Sequence, residues 1–144
     1  MNSIRQILEQ KGNDVWVTSP EASVYEALSL LAKKNVGALL VIKNQELVGI
    51  VSERDYARKV ALLGKASVKT PVSEIMTTQV FSITPQNTTE EAMALMTDKR
   101  IRHLPVIEEG KIVGVISIGD LVKSIIANQE YVIDQLEKYI SGVQ

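Results

Sequence analysis

Two seven-residue stretches hold the residue types on which chemistry could be built. They are Gly49-Ile50-Val51-Ser52-Glu53-Arg54-Asp55 and Gly114-Val115-Ile116-Ser117-Ile118-Gly119-Asp120, both Gly-x-x-Ser-x-x-Asp. Each leads from an apolar run into the start of a helix. Such a junction predicts unpaired backbone N–H groups at the positive end of a helix dipole, which favours anions. The serine hydroxyl can donate to a phosphate, and the aspartate one turn on can accept two hydrogen bonds from vicinal ribose hydroxyls. The set suits a nucleotide. Ser-x-x-Asp is also close to a helix capping box, in which the serine caps and the acid reaches back. Spacing alone favours the cap; only the duplication and the neighbouring residues turn the reading toward a ligand.

Those neighbours are Arg100-Ile101-Arg102-His103-Leu104-Pro105, three basic groups within four residues ahead of a buried strand. A cation near a helix C-terminus is favourable, which accounts for Arg100 better than for Arg102. Arg102 and His103 alternate as the strand begins, so one of them faces inward. A guanidinium there needs an anion, from the protein or from a ligand phosphate. The counterpart of Arg102 is Gly37, in Asn35-Val36-Gly37-Ala38, where backbone or ligand can approach closely. Two unequal sites are expected. His103 reads as a structural histidine rather than a catalyst. Lys33-Lys34 reads as a solvated helix end. Trp16 reads as a core residue at the mouth of the first copy, where an adenine or nicotinamide could stack. No Ser/His/Asp order, metal-ligand cluster or catalytic carboxylate pair emerges.

The elements that position these residues come in duplicate. Aligned without a gap, residues 15–56 and 80–121 are identical at 13 of 42 positions. Unrelated chains of average composition would match at about 6% of positions, so the repeat is real. Each copy reads as a short extended piece (14–17 and 79–82), a proline turn, an amphipathic helix, and two apolar strands around a polar turn. The helices have Ser23 and Thr88 as N-caps, with Glu26 and Glu91 three residues on. Further helices are expected over 2–11, ending at Gly12, over 53–63, ending at Gly64, and over 120–140. The predicted domain ranges are 1–66, the first copy with the N-terminal helix, and 67–144, the second with a C-terminal extension. Small repeats rarely bury enough surface alone, so the two are expected to share one core with approximate two-fold symmetry.

Composition excludes much else. The 144 residues are 45% hydrophobic and 23% charged, with a net charge of -1, so nothing drives the chain toward nucleic acid or anionic membrane. The absence of cysteine removes disulfides, thiolate catalysis and iron–sulfur clusters, and one histidine removes a multi-histidine metal site. No stretch approaches the roughly 18 apolar residues of a membrane span, and the start has no signal-peptide core. A soluble, cytoplasmic, non-enzymatic protein is expected, with no metal.

The ordered set resembles a tandem cystathionine-β-synthase (CBS) domain pair of the small stand-alone signalling type. It comprises two β-α-β-β-α units, Val72-Ser73-Glu74-Ile75-Met76-Thr77, Arg102-His103-Leu104-Pro105-Val106, both Gly-x-x-Ser-x-x-Asp junctions, and Ser-Glu-Arg-Asp-Tyr-Ala-Arg at 52–58. The resemblance implies an α+β fold in which two repeats pack sheet to sheet and leave two clefts for adenosyl ligands: AMP, ADP, ATP, NAD or S-adenosylmethionine. Carried over by position, one cleft takes Ser117, Asp120 and Arg102 with Val115 and Ile116, and Trp16, Val36, Gly37 and Ala38 from the first copy. The other takes Ser52 and Asp55 with Ile101, Arg102, His103 and Phe81, and Arg54 or Arg58 for a phosphate. Gly37 lacks the basic side chain the family often has there, which weakens phosphate binding in the second cleft. The resemblance implies a sensor that signals to a protein partner, and a homodimer meeting through helices that include 120–140. The alternative is a constitutive dimerisation scaffold with vestigial clefts.

Overall fold

The computed structural model describes residues 2–141; Met1 and residues 142–144, which the expected domain ranges include, lie outside the described residues. The element order is α1 (Ile4–Lys11), β1 (Val17–Thr18), α2 (Val24–Lys34), β2 (Ala38–Lys43), β3 (Glu46–Ser52), α3 (Glu53–Tyr56), α4 (Thr89–Lys99), β4 (His103–Glu108), β5 (Lys111–Ser117) and α5 (Ile118–Ser141). α3 continues as a π-helical turn, Ala57–Ala61, and a 3-10 turn covers Val72–Glu74. The helix expected over 53–63 is therefore α-helical for its first turn only.

The chain forms two compact units, Val15–Phe81 and a discontinuous one built from the described residues up to Asp14 and from Ser82 onward. These packing units differ from the expected repeat ranges, 1–66 and 67–144. The N-terminal helix packs in the unit of the second repeat, and the segment 67–81 packs in that of the first. The physical reason is visible in the backbone. Ile4 N–H donates to Asn87 O (2.9 Å), Arg5 N–H to Pro85 O (3.0 Å) and Thr89 N–H to Asn2 O (3.0 Å). The first repeat repeats this pattern. Val72 N–H donates to Ala22 O (2.8 Å), Ser73 N–H to Pro20 O (3.0 Å) and Val24 N–H to Thr70 O (2.8 Å). The leading segments are thus a further repeated feature, matched at a shift of 68 residues where the rest matches at 65. The first copy has three more residues before its strand, and α1 is correspondingly a full helix where the second copy has a single 3-10 turn.

Within the unit Val15–Phe81 the sheet order is β1-β2-β3, with β1 parallel to β2 and β2 antiparallel to β3. Its core joins Val24, Ala27 and Leu31 of α2 to Leu39 and Val41 of β2 and Val72 and Ile75 of the leading segment. Residues 24, 27 and 31 lie on one helical face. The other unit buries Thr89, Ala92 and Met96, the same three positions of α4. Its sheet has only β4 and β5, extended by a parallel bridge from Ile83 to Val106. The extended piece expected at 79–82 thus pairs at Ile83 instead. Pro105 explains the shortening: its counterpart Leu40 donates its N–H to Trp16 O (3.1 Å), and a proline has none to donate. Both hairpins turn through two residues with positive φ, Asn44 (50°) and Gln45 (67°), then Glu109 (52°) and Gly110 (77°), which is the twist a tight hairpin requires.

Glycines at the centres of β3 and β5 admit the leading segments. A Cβ on Gly49 would meet Met76 Sδ at 2.8 Å and Thr77 O at 3.0 Å, and one on Gly114 would meet Leu8 Cδ2 at 2.6 Å. These glycines serve close packing rather than a ligand.

Candidate functional site

In each unit the strand-to-helix junction closes on itself. Ser52 N–H donates to Asp55 Oδ2 (2.9 Å), and Asp55 N–H donates to Ser52 Oγ (3.2 Å). Ser117 N–H donates to Asp120 Oδ2 (2.8 Å), and Asp120 N–H to Ser117 Oγ (3.1 Å). The Ser-x-x-Asp spacing makes a capping box, so the capping reading holds in this structure. The first helical amides are also taken: Glu53 N–H donates to Gly37 O (3.1 Å) and Ile118 N–H to Arg102 O (2.8 Å). The junctions therefore do not present the row of unpaired amides expected for an anion. What remains for a ligand is the aspartate carboxylates and the neighbouring side chains.

Both carboxylates also hold a lysine. Lys59, one turn further along the same chain segment, lies 3.1 Å from Asp55 Oδ1 and donates to Ile75 O (2.9 Å). At the second junction position 124 is a serine whose hydroxyl binds Asn2 (2.7 Å), and the lysine comes from α1. Lys11 Nζ donates to Asp120 Oδ2 (2.8 Å) and to Val115 O (2.9 Å). In the other unit the equivalent carbonyl, Ile50 O, accepts from Thr77 N–H (2.9 Å). Burial pushes the Asp120 carboxyl up, but the hydrogen bonds from Lys11 and Ser117 outweigh it and hold it below its ordinary 3.8.

His103 pairs with Ser117 across the β4–β5 ladder and is half-buried. Burial lowers its pKa below the ordinary 6.5; Asp120 opposes this, and Lys11 and Arg102 add to it. Of the alternating pair it is therefore His103 that turns inward. Arg102 is exposed and forms no ion pair among the described residues. Ile101 ends α4, its N–H on Met96 O (3.0 Å), as Val36 ends α2 on Leu31 O (3.1 Å). Ile116 is fully buried core, so its side chain lines no site, while Val115 is half-buried.

In the unit Val15–Phe81, Gly37, Ala38, Ser52 and Asp55 come together through the Glu53–Gly37 bond and the pairing of Ala38 with Ser52. Arg54 and Phe81 are half-buried, and Arg58 is exposed on the π turn. Trp16 packs against the core as expected, but its ring carries the Lys34 ammonium 4.3 Å from its centroid. Lys34 is therefore no simple solvated helix end, and an aromatic ligand would have to displace it. The lysines 11, 34 and 59 were not among the residues expected at the sites. One sequence signal bears on Lys11: Ile4-x-x-Ile7-Leu8 has the pattern of Val72-x-x-Ile75-Met76, displaced by three residues from the main repeat. Among the described residues no cluster of His, Asp and Glu could hold a metal.

The comparisons with known proteins agree with the duplicated architecture. The CBS domain model matches residues 5–62 and 72–127. The mitochondrial CBS domain-containing protein CBSX3 of Arabidopsis thaliana is 38% identical over 97% of this chain and 72% of its own. The structure of a CBS-domain protein from Burkholderia ambifaria MC40-6 is 50% identical, with a TM-score of 0.86 over 89% of this chain and 96% of that one. The CBS domain pair of protein MJ0100, solved with 5′-methylthioadenosine and S-adenosyl-L-methionine, shares the fold at 22% identity, with a TM-score of 0.78 over 89% and 98%. With both repeats matched across most of its length, the chain belongs to the CBS-domain family as a tandem CBS pair.

Proposed function

We propose that this CBS pair is a non-enzymatic, cytoplasmic sensor that binds an adenosyl ligand (AMP, ADP, ATP, NAD or S-adenosylmethionine) at its Ser-x-x-Asp junctions and signals to a protein partner. CBS pairs are regulatory rather than catalytic modules, and the MJ0100 pair holds two adenosyl compounds. The observation that carries the reading is Arg102. It is an exposed guanidinium without an ion pair among the described residues, joined through its carbonyl to the helix that presents Asp120. Its counterpart Gly37 offers no charge, so the junction at Asp120 is the stronger phosphate site. Among the described residues no helix is long and apolar enough to cross a membrane.

Calorimetric titration with the five ligands tests this. Asp120→Asn keeps an acceptor for the helix cap but loses the charge-assisted bond to a ribose diol, and should weaken binding roughly ten- to a hundredfold. Arg102→Ala should weaken AMP far more than adenosine. Equal affinities for the wild type and the Asp55→Asn, Asp120→Asn double variant would overturn the site assignment.

The reading includes a homodimer. Val122, Ile126, Ile133, Leu136 and Ile140 of α5 are all exposed, at spacings of four, seven, three and four. That is a coiled-coil seam interrupted once by Gln129, and monomers rarely leave such a face open. Ile125 is half-buried and lies off this stripe. Light scattering should give a dimer for the full chain and a monomer for one ending at Ala127. A dimer that binds none of the five ligands would select the constitutive scaffold, which the lysines already on both aspartates favour.

A further inference from the structure

We propose that Lys11 sets the charge preference of the Asp120 junction, selecting a phosphate-bearing adenosyl ligand over a neutral nucleoside or a sulfonium compound. The proposal rests on the sensor reading and narrows its ligand class. Lys11 lies in the last turn of α1, the part that the equivalent 3-10 turn lacks. The helix beneath it is held by buried Ile4, Ile7 and Leu8, by the Arg5–Glu108 ion pair and by the Asn2–Ser124 hydrogen bond. The ammonium is therefore delivered to the junction by a fixed element, whereas Lys59 reaches Asp55 from its own helical segment.

At the junction Lys11 occupies Asp120 Oδ2 and the Val115 carbonyl, two acceptors that a nucleoside would otherwise address. A diol that takes the carboxylate draws it away from Lys11. A neutral nucleoside returns nothing for that loss, while a ligand phosphate gives the ammonium a new anion. Arg102 is a second cation beside His103, and Asp120 is, among the described residues, the single carboxylate paired with Lys11. A sulfonium ligand would bring a third positive charge to this cluster. At the Asp55 junction Gly37 stands in place of Arg102, and the discrimination should be weaker there.

The test is calorimetry on the full chain with AMP, adenosine and S-adenosylmethionine, for the wild type, Lys11→Met and Lys11→Arg. Methionine keeps much of the apolar stem and removes the charge; arginine keeps the charge. The wild type should prefer AMP to adenosine by tenfold or more. Lys11→Met should weaken AMP about tenfold and bind adenosine and S-adenosylmethionine as well as or better than before, and Lys11→Arg should restore the preference. An AMP-to-adenosine ratio unchanged in Lys11→Met, or a wild type that prefers S-adenosylmethionine, would overturn the role of Lys11 and leave the sensor reading standing. A wild type that binds none of the three would overturn both. Should Lys11→Met fail to fold, loss of the preference in Lys11→Gln, judged against the rescue by arginine, decides the matter in the same way.

Discussion

The junctions at Asp55 and Asp120 share the helix cap and differ in much of what surrounds it. In both, serine and aspartate cap each other and a carbonyl from the residue before the hairpin takes the first helical N–H. In both, a lysine sits on the carboxylate, but one comes from the same helical segment and the other from a helix at the far end of the chain. Gly37 and Ala38 on one side stand against Arg102 and His103 on the other. Duplication has kept the cap, because an unsatisfied helix end costs stability in either copy. The charge around the cap is not needed for folding, and there the copies have diverged.

The largest effect expected from breaking the comparison lies under the second junction. Ile4 is fully buried and anchors α1, which has only a 3-10 turn as its counterpart. Ile4→Ala should cost about 2–5 kcal/mol in urea unfolding, as large-to-small core changes do.

Next come the paired glycines. Gly49→Ala drives a methyl onto Thr77 O, a backbone atom that Ile50 also pairs with, and should cost about 1–3 kcal/mol. Gly114→Ala meets only the end of the Leu8 side chain, which can rotate, so its loss should be smaller. Equal losses would show that α1 is as rigid as the β3–Thr77 pairing.

The third expectation is a pH dependence confined to one copy. His103 has its pKa lowered in the fold, while its counterpart Ala38 titrates nothing. The unfolded chain therefore binds a proton more readily, and stability should fall as pH drops below about 6.5 toward the folded value. The slope is at most about 1.4 kcal/mol per pH unit for one proton. Burial sets this lowering; Asp120 opposes it, and Lys11 and Arg102 add to it. Denaturant midpoints measured from pH 8 to pH 5 should lose that slope in His103→Gln. Asp120, whose pKa is also lowered, adds stability that is lost only in acid, below its ordinary 3.8.

The smallest effect sharpens the contrast between the lysines. Lys59 is a half-buried partner at i+4 from Asp55, its side chain 44% exposed, so Lys59→Ala should cost about 0.3–0.5 kcal/mol in thermal or urea unfolding. A loss above 1 kcal/mol would mean that its bond to Ile75 O matters more than the ion pair.

Much of the site frame was legible in the residues. The capping boxes at Ser52, Thr88 and Ser117 follow from spacing, and Asn44-Gln45 and Glu109-Gly110 mark the turns between runs of β-branched residues. What escaped was the placement of α1 and with it Lys11, because the leading segments repeat at a different shift from the rest. The π turn after Tyr56 and the lysine over Trp16 were equally invisible, since neither has a local pattern that distinguishes it from an ordinary helix or a solvated helix end.

By itself the sequence determined the duplication, the fold family and the caps. Each of these is encoded by periodicity and by contacts no more than a few residues apart, where side-chain type and spacing decide the outcome. Only the tertiary structure decided which unit α1 covers, which of Arg102 and His103 turns inward, and which cation meets Asp120. Lys11 and Asp120 are 109 residues apart. Their meeting depends on Leu8 packing over a glycine in β5 and on two backbone hydrogen bonds to Asn87 and Pro85, a geometry that no local run of residues encodes.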